Sequence, residues 1–153
     1  MTSSPKRAES PPSLDPKHCC FRLRVGRSPI EGWGVYAEEP IPANRKVIEY
    51  TGERISRREA NRRSEASRKV FLFTIDSYWC KDGAIGGSGA EYINHCCTPN
   101  IRSVVLKGHI LYMSLRPIAP GEELTVDYNF GKHEEKHPCR CGSPHCRGTL
   151  NEE

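Results

Sequence analysis

The stretch Asn94-His95-Cys96-Cys97-Thr98-Pro99-Asn100, read together with Cys139-Arg140-Cys141 and Cys146, carries most of what the chain says about its fold. Cys139, Cys141 and Cys146 lie close together, with Gly142 and Pro144 to turn the backbone between them. Three thiolates so spaced can wrap one tetrahedral zinc and leave one position for a ligand from a distant segment. If Cys97 fills it, the metal pins the C-terminal tail to the Asn-His segment. A pocket would then be closed by residues from both ends of the domain. His137 and His145 are the other candidates, and spacing alone does not choose among them.

The competing reading of the cysteines is disulfide pairing, since there are eight of them, an even number. Met1 leads into Thr-Ser-Ser-Pro-Lys-Arg with no apolar run and no cleavage-site pattern, so an export leader is not expected. Reduced cysteines favour a metal over disulfides. Cys19, Cys20, Cys80 and Cys96 are then expected to be free or buried thiols. At 153 residues the chain is long enough for one domain with its own core. It contains no apolar stretch of the roughly 18 residues that a membrane helix needs. A net charge of +4 is only a weak pointer to an acidic partner.

Residues 1–17 are rich in proline, serine and charge, and are expected to be a disordered tail. From Phe21 onward the pattern is of short strands punctuated by glycine and proline: Phe21 to Val25, Lys46 to Tyr50 and Glu123 to Asp127. Val104-Val105-Leu106, Lys107-Gly108 and His109 to Leu115 predict a β-hairpin. Ser56 with Glu59 three residues on is a capping box and predicts one short helix. The arginine-rich run Arg54 to Lys69 is then a solvated helix face. Its other reading is a docking surface for nucleic acid or an acidic partner, but no aromatic interleaving supports base stacking and no base-reading motif is present. Direct nucleic-acid binding is not expected. A faint internal echo joins Pro40-Ile41 before Glu49-Tyr50 to Pro117-Ile118 before Asp127-Tyr128, as if two units each delivered a tyrosine to one centre.

Taken in order, Glu31-Gly32-Trp33-Gly34, Glu49-Tyr50-Thr51-Gly52-Glu53, Asn94 to Asn100, Gly121 to Tyr128 and the cysteine tail to Leu150 resemble the SET-domain protein-lysine methyltransferases with a zinc-binding post-SET tail. The resemblance implies a mostly β, β-clip-like fold of short sheets with a pseudoknot, one short helix and a C-terminal zinc-bound segment. It divides the chain into a tail (1–17), a SET domain (18–131) and a post-SET segment (132–153). It implies S-adenosylmethionine as methyl donor, bound by Glu31, Gly32, Trp33, Gly34, Phe71, Asn94 and His95, with the two glycines allowing close backbone approach. Tyr50 and Tyr128 would line the lysine channel, Tyr128 being the essential one. Cys97 would be the remote ligand of a structural zinc with Cys139, Cys141 and Cys146. The implied substrate is a lysine in an extended basic segment such as a histone tail, and the implied location is the nucleus or the cytoplasm.

Four positions depart from the family pattern. Glu91-Tyr92 stands where arginine and an aromatic residue are usual, reversing a charge expected beside the cofactor. Cys96 replaces serine, Phe71 replaces a tyrosine, and Val126 replaces Phe or Tyr two residues before Tyr128. The smaller Val126 either leaves a space open, which would admit di- or trimethyl-lysine, or lets another side chain fill it. Against the enzyme reading stands a non-catalytic SET-like module that binds a protein tail through the same groove, and the sequence leaves the oligomeric state open.

Overall fold

The computed structural model describes residues 10–66, 71–129 and 136–151. The expected boundary at residues 131 and 132, residues 1–9 of the expected tail, and Arg68 and Lys69 lie outside them. In chain order the elements are β1 (Leu23–Arg27), β2 (Trp33–Ala37), β3 (Lys46–Tyr50), β4 (Glu53–Ser56), α1 (Arg57–Ala66), β5 (Leu72–Thr74) and β6 (Trp79–Asp82). After them come β7 (Asn94–His95), β8 (Ile101–Leu106), β9 (His109–Ser114) and β10 (Thr125–Val126). The mostly β class holds, and α1 is the one α-helix among the described residues.

Local chemistry explains the clearest elements. β8 and β9 pair antiparallel from Ile101 opposite Ser114 to Leu106 opposite His109. Lys107 (φ 51°) and Gly108 (φ 80°) close the hairpin, the positive φ at both turn positions matching the right-handed twist of the strands. Ser56 caps α1: its Oγ accepts the Glu59 N–H at 3.1 Å. Within α1, Arg63 is held by Glu53, Glu59 and Asp82 at 2.8–3.0 Å, and Arg62 pairs with Glu59. Part of the basic run therefore serves the fold rather than a partner.

The strands form a β1–β2 hairpin, a three-stranded sheet β4-β6-β5 and a five-stranded sheet β3-β9-β8-β10-β7. The last order matters most. β10 lies parallel between β7 and β8, although those two are separated in sequence only by residues 96–100. The 96–100 loop must therefore cross β10, so the strand leading to Tyr128 is threaded beneath the Asn-His segment. The core behind this sheet holds Val35, Ile48, Ile101, Ile110 and Leu124, all fully buried. Each such side chain contributes roughly 1.5–3 kcal/mol on leaving water.

The two units of the internal echo meet in the structure, and Tyr128 lies close enough to Tyr50 to act on its ionisation. Ile41 and Ile118 pair with each other, exchanging N–H···O bonds of 2.9 and 2.8 Å. The two Pro-Ile units brace one another through this pairing of buried isoleucines. The tail expected through residue 17 also ends sooner than its composition implies. Leu14 packs on the core, the Asp15 N–H donates to Ser88 O at 2.8 Å, and the Asp15 carboxylate caps a 3₁₀ turn at Pro16–His18. One aliphatic side chain with a good cap is enough to dock this stretch.

Candidate active site

Threading β10 beside β7 puts Asn94 and His95 next to Thr125 and Val126, and the site is built around that pairing. Asn94 is buried, and its side-chain amide donates to Glu31 O (3.1 Å), Trp33 O (3.1 Å) and the Glu123 carboxylate (3.0 Å). It thus fastens the Glu31 to Gly34 turn to the core. Glu123 also accepts the Ser28 hydroxyl at 2.7 Å, and a Cβ on Gly34 would run into its carboxylate. Gly34 is needed for that close approach. Gly32 has φ +48° with open space around it, so backbone conformation is what requires glycine there.

His95 is turned inward and buried. Its Nδ1 accepts the Tyr128 N–H at 3.0 Å, and its Nε2 lies 3.5 Å from Cys97 Sγ. Burial lowers its pKa, Asp127 opposes that shift, and Arg147 reinforces it. A neutral ring fits an Nδ1 that already accepts a hydrogen bond. Tyr128 keeps 39% of its surface exposed, while its hydroxyl donates to Ile93 O at 3.0 Å. Burial of the phenol, with Glu31 nearby, raises its pKa.

Tyr50 is buried and its hydroxyl donates to Phe71 O. Its ring lies 5.3 Å from Phe73 and 6.0 Å from Tyr112, centroid to centroid. Burial, with Tyr112 and Glu91 nearby, pushes its pKa well up.

Four cysteines meet beside this assembly. The Sγ atoms of Cys97, Cys139, Cys141 and Cys146 lie within 4.8 Å of one another, with Cys97 and Cys139 at 3.7 Å. Tetrahedral zinc with bonds of about 2.3 Å places its sulfurs about 3.8 Å apart, so the set fits that metal. The backbone N–H groups of Cys97 and Ser143 lower the Cys141 pKa against the effect of burial, while burial raises those of Cys97 and Cys139. Four protein ligands leave no open position, which is the arrangement of a structural site. His137 and His145 are not in the set. Cys96 stays outside it as well, its Sγ 3.6 Å from Thr98 Oγ1.

Between the two assemblies is a cavity of about 350 Å³ lined on one side by Ile30, Glu31, Asn94, His95 and Tyr128. The opposite wall is Pro138 to Cys141 with Leu150. Of the residues expected to bind cofactor, the structure brings Glu31, Asn94 and His95 to this space. Gly32, Trp33 and Gly34 continue the turn behind Glu31. Phe71 is elsewhere, its ring 5.1 Å from Tyr92 and its carbonyl receiving Tyr50. Glu91 does not stand beside the cavity either. Its carboxylate accepts the Gly89 N–H at 2.8 Å and lies against Gly83 and Gly87, on the Tyr50 side. Three residues with clear work here are not singled out by the sequence: Ser28, Glu123 and Arg147. Glu123 and Arg147 lie inside motifs quoted above, but their partners come from distant segments.

A model of the SET domain matches residues 32–129. The chain belongs to the SET domain family. It is 41% identical over 139 residues to histone-lysine N-methyltransferase SETD1A of Homo sapiens, covering 85% of this chain and 8% of that protein. It is also 41% identical over 141 residues to the H3 lysine-4 specific histone-lysine N-methyltransferase of Saccharomyces cerevisiae, covering 84% of this chain and 13% of the relative. The chain thus spans a small part of the length of these relatives. Among solved structures, KRYPTONITE in complex with mCHG DNA and SAH superposes with a TM-score of 0.74 at 29% identity, covering 86% of this chain and 29% of that one. No helix among the described residues is long and apolar enough to cross a membrane.

Proposed function

We propose that this SET domain is an S-adenosylmethionine-dependent protein-lysine N-methyltransferase whose substrate is a lysine in an extended basic segment, a histone tail being the first candidate. The observation that carries this reading is the cavity enclosed between the Glu31–Asn94–His95–Tyr128 wall and the cysteine segment. It has the size for one nucleoside-bearing cofactor and ends at an exposed tyrosine edge. Zinc at Cys97, Cys139, Cys141 and Cys146 would hold the second wall in place and take no part in the chemistry.

Methyl transfer needs a neutral amine in line with the methyl group. A lysine of ordinary pKa near 10.4 is neutral in only about one molecule in a thousand near pH 7.4. Bringing that to half takes roughly 4 kcal/mol of differential stabilisation. The aromatic group Tyr50, Phe73 and Tyr112 beside Tyr128 supplies a desolvating wall, which disfavours the ammonium. Tyr128 orients the reacting groups, and holding both in line provides much of the remaining acceleration. The relatives' histone specificity supports a histone substrate, which would place the work in the nucleus.

The test is transfer of a labelled methyl group from S-adenosylmethionine to histone H3 and to an unrelated basic protein, with wild type beside Tyr128→Phe. The expected result is lysine methylation that Tyr128→Phe abolishes. Cofactor binding without transfer to either protein, or to lysate proteins, would leave a binding module instead.

A further inference from the structure

The cysteine centre reaches Tyr128 by two routes that meet at Cys97. On the first, the Tyr128 N–H donates to His95 Nδ1 at 3.0 Å, so the ring hydrogen sits on Nε2 and points at Cys97 Sγ, 3.5 Å away. On the second, Arg147 donates to both oxygens of Asp127, at 2.7 and 3.2 Å. Asp127 is the residue before Tyr128. The Arg147 backbone N–H donates to Cys97 Sγ at 3.3 Å, and its guanidinium also reaches Leu150 O at 3.1 Å. The two side chains of the ion pair are only 17% and 23% exposed, and the contact is forked. Such a pair is geometrically specific and worth more than a surface one.

We propose that Arg147 is a positioning residue for Tyr128, acting through Asp127, so that closing the cysteine centre and setting the tyrosine are a single event. The tail then does more than wall the cavity. A chain whose thiolates are not gathered places Arg147 out of reach of Asp127, frees the acceptor that orients His95, and leaves the Tyr128 backbone held from one side only. The tyrosine is thereby set for methyl transfer only once the second wall is in place. The activity readout of this proposal rests on the methyltransferase reading above; its structural readout does not.

The experiment compares Arg147→Met, Arg147→Lys, Asp127→Asn and the Arg147→Met/Asp127→Asn double variant in the zinc-loaded protein. Zinc content by elemental analysis, hydrogen exchange at the Tyr128 amide, and kcat and KM on a histone peptide are measured for each. Arg147→Met is expected to keep its zinc, to speed exchange at Tyr128, and to lower kcat by at least about tenfold with KM little changed, since a small misplacement of a reacting group is costly. Arg147→Lys should recover part of the loss. The double variant should be no worse than the worse single, because both changes break one contact. Loss of zinc along with activity would make Arg147 a tail fastener and overturn the proposal, as would unchanged Tyr128 exchange or losses that multiply. If the wild-type protein methylates nothing, the methyltransferase reading fails, while the exchange and zinc measurements still decide the role of Arg147.

Discussion

In the main core, Val35, Ile48, Ile101, Ile110 and Leu124 are fully buried and the strands around them are joined by long antiparallel ladders. Between residues 136 and 151 the only large aliphatic side chain is Leu150, and what packs there is the cysteine set itself. The first region folds by burying hydrocarbon; the second has too little hydrocarbon to do so and depends on its sulfurs. The cavity lies where the two meet, so a structure made by the hydrophobic effect takes its second wall from a segment built around a cysteine set that fits zinc. That division says which perturbations should be local and which global.

The largest effect is expected from the metal. Chelation, or Cys146→Ser, should release the 136–151 segment, because a structural zinc site is worth on the order of 10 kcal/mol of folding free energy. Limited proteolysis should cut this segment while far-ultraviolet circular dichroism reports an unchanged sheet. Simultaneous collapse of both regions would show that the division is wrong. Ile110→Ala probes the other side. It should cost about 2–5 kcal/mol in denaturant unfolding, while the folded fraction still carries zinc at full stoichiometry.

The elements set by local chemistry are legible in the sequence alone: the Lys107-Gly108 turn, the Ser56 cap of α1, and three of the four gathered cysteines from their spacing. The family resemblance adds Cys97 and the threaded Asn-His segment. What is not legible depends on that threading. Glu123 is visible in the sequence as a charged residue in a strand, but its bonds to Ser28 and Asn94 exist only once β10 lies against β7. Glu91 reads as a reversed charge at the cofactor, yet the loop through Gly83 and Gly87 draws it to the Tyr50 side. At Val126 the sequence leaves two outcomes, an open space or one filled by a neighbour; the structure buries Val126 itself in the core, with His95 and Ile101 as strand partners.

At the junction itself, Asn94→Ala removes the two hydrogen bonds to Glu31 O and Trp33 O that hold the Glu31 to Gly34 turn, and the one to the Glu123 carboxylate. S-adenosylmethionine binding should weaken by at least tenfold, about 1.4 kcal/mol, in calorimetry, with zinc retained. Unchanged affinity would mean that the turn keeps its shape without Asn94. The smallest effect is expected far from the junction, at α1. Arg62 and Arg63 hold the Glu59 carboxyl down to about 2. With the folded pKa depressed, the stabilisation is complete above the ordinary glutamate range and is lost as pH falls toward 2. Glu59→Gln should therefore lower Tm slightly at pH 7 and leave it nearly unchanged near pH 2; an equal shift at both would assign the effect to something other than this charge.

The central claim is that the cavity proposed to take S-adenosylmethionine is complete only when the cysteine centre is closed. Titrating S-adenosylmethionine into zinc-loaded and chelated protein by calorimetry tests it most directly. The expected result is binding by the loaded protein and a loss of at least tenfold in affinity after chelation, restored when zinc is returned. Equal affinity in the two forms would contradict it.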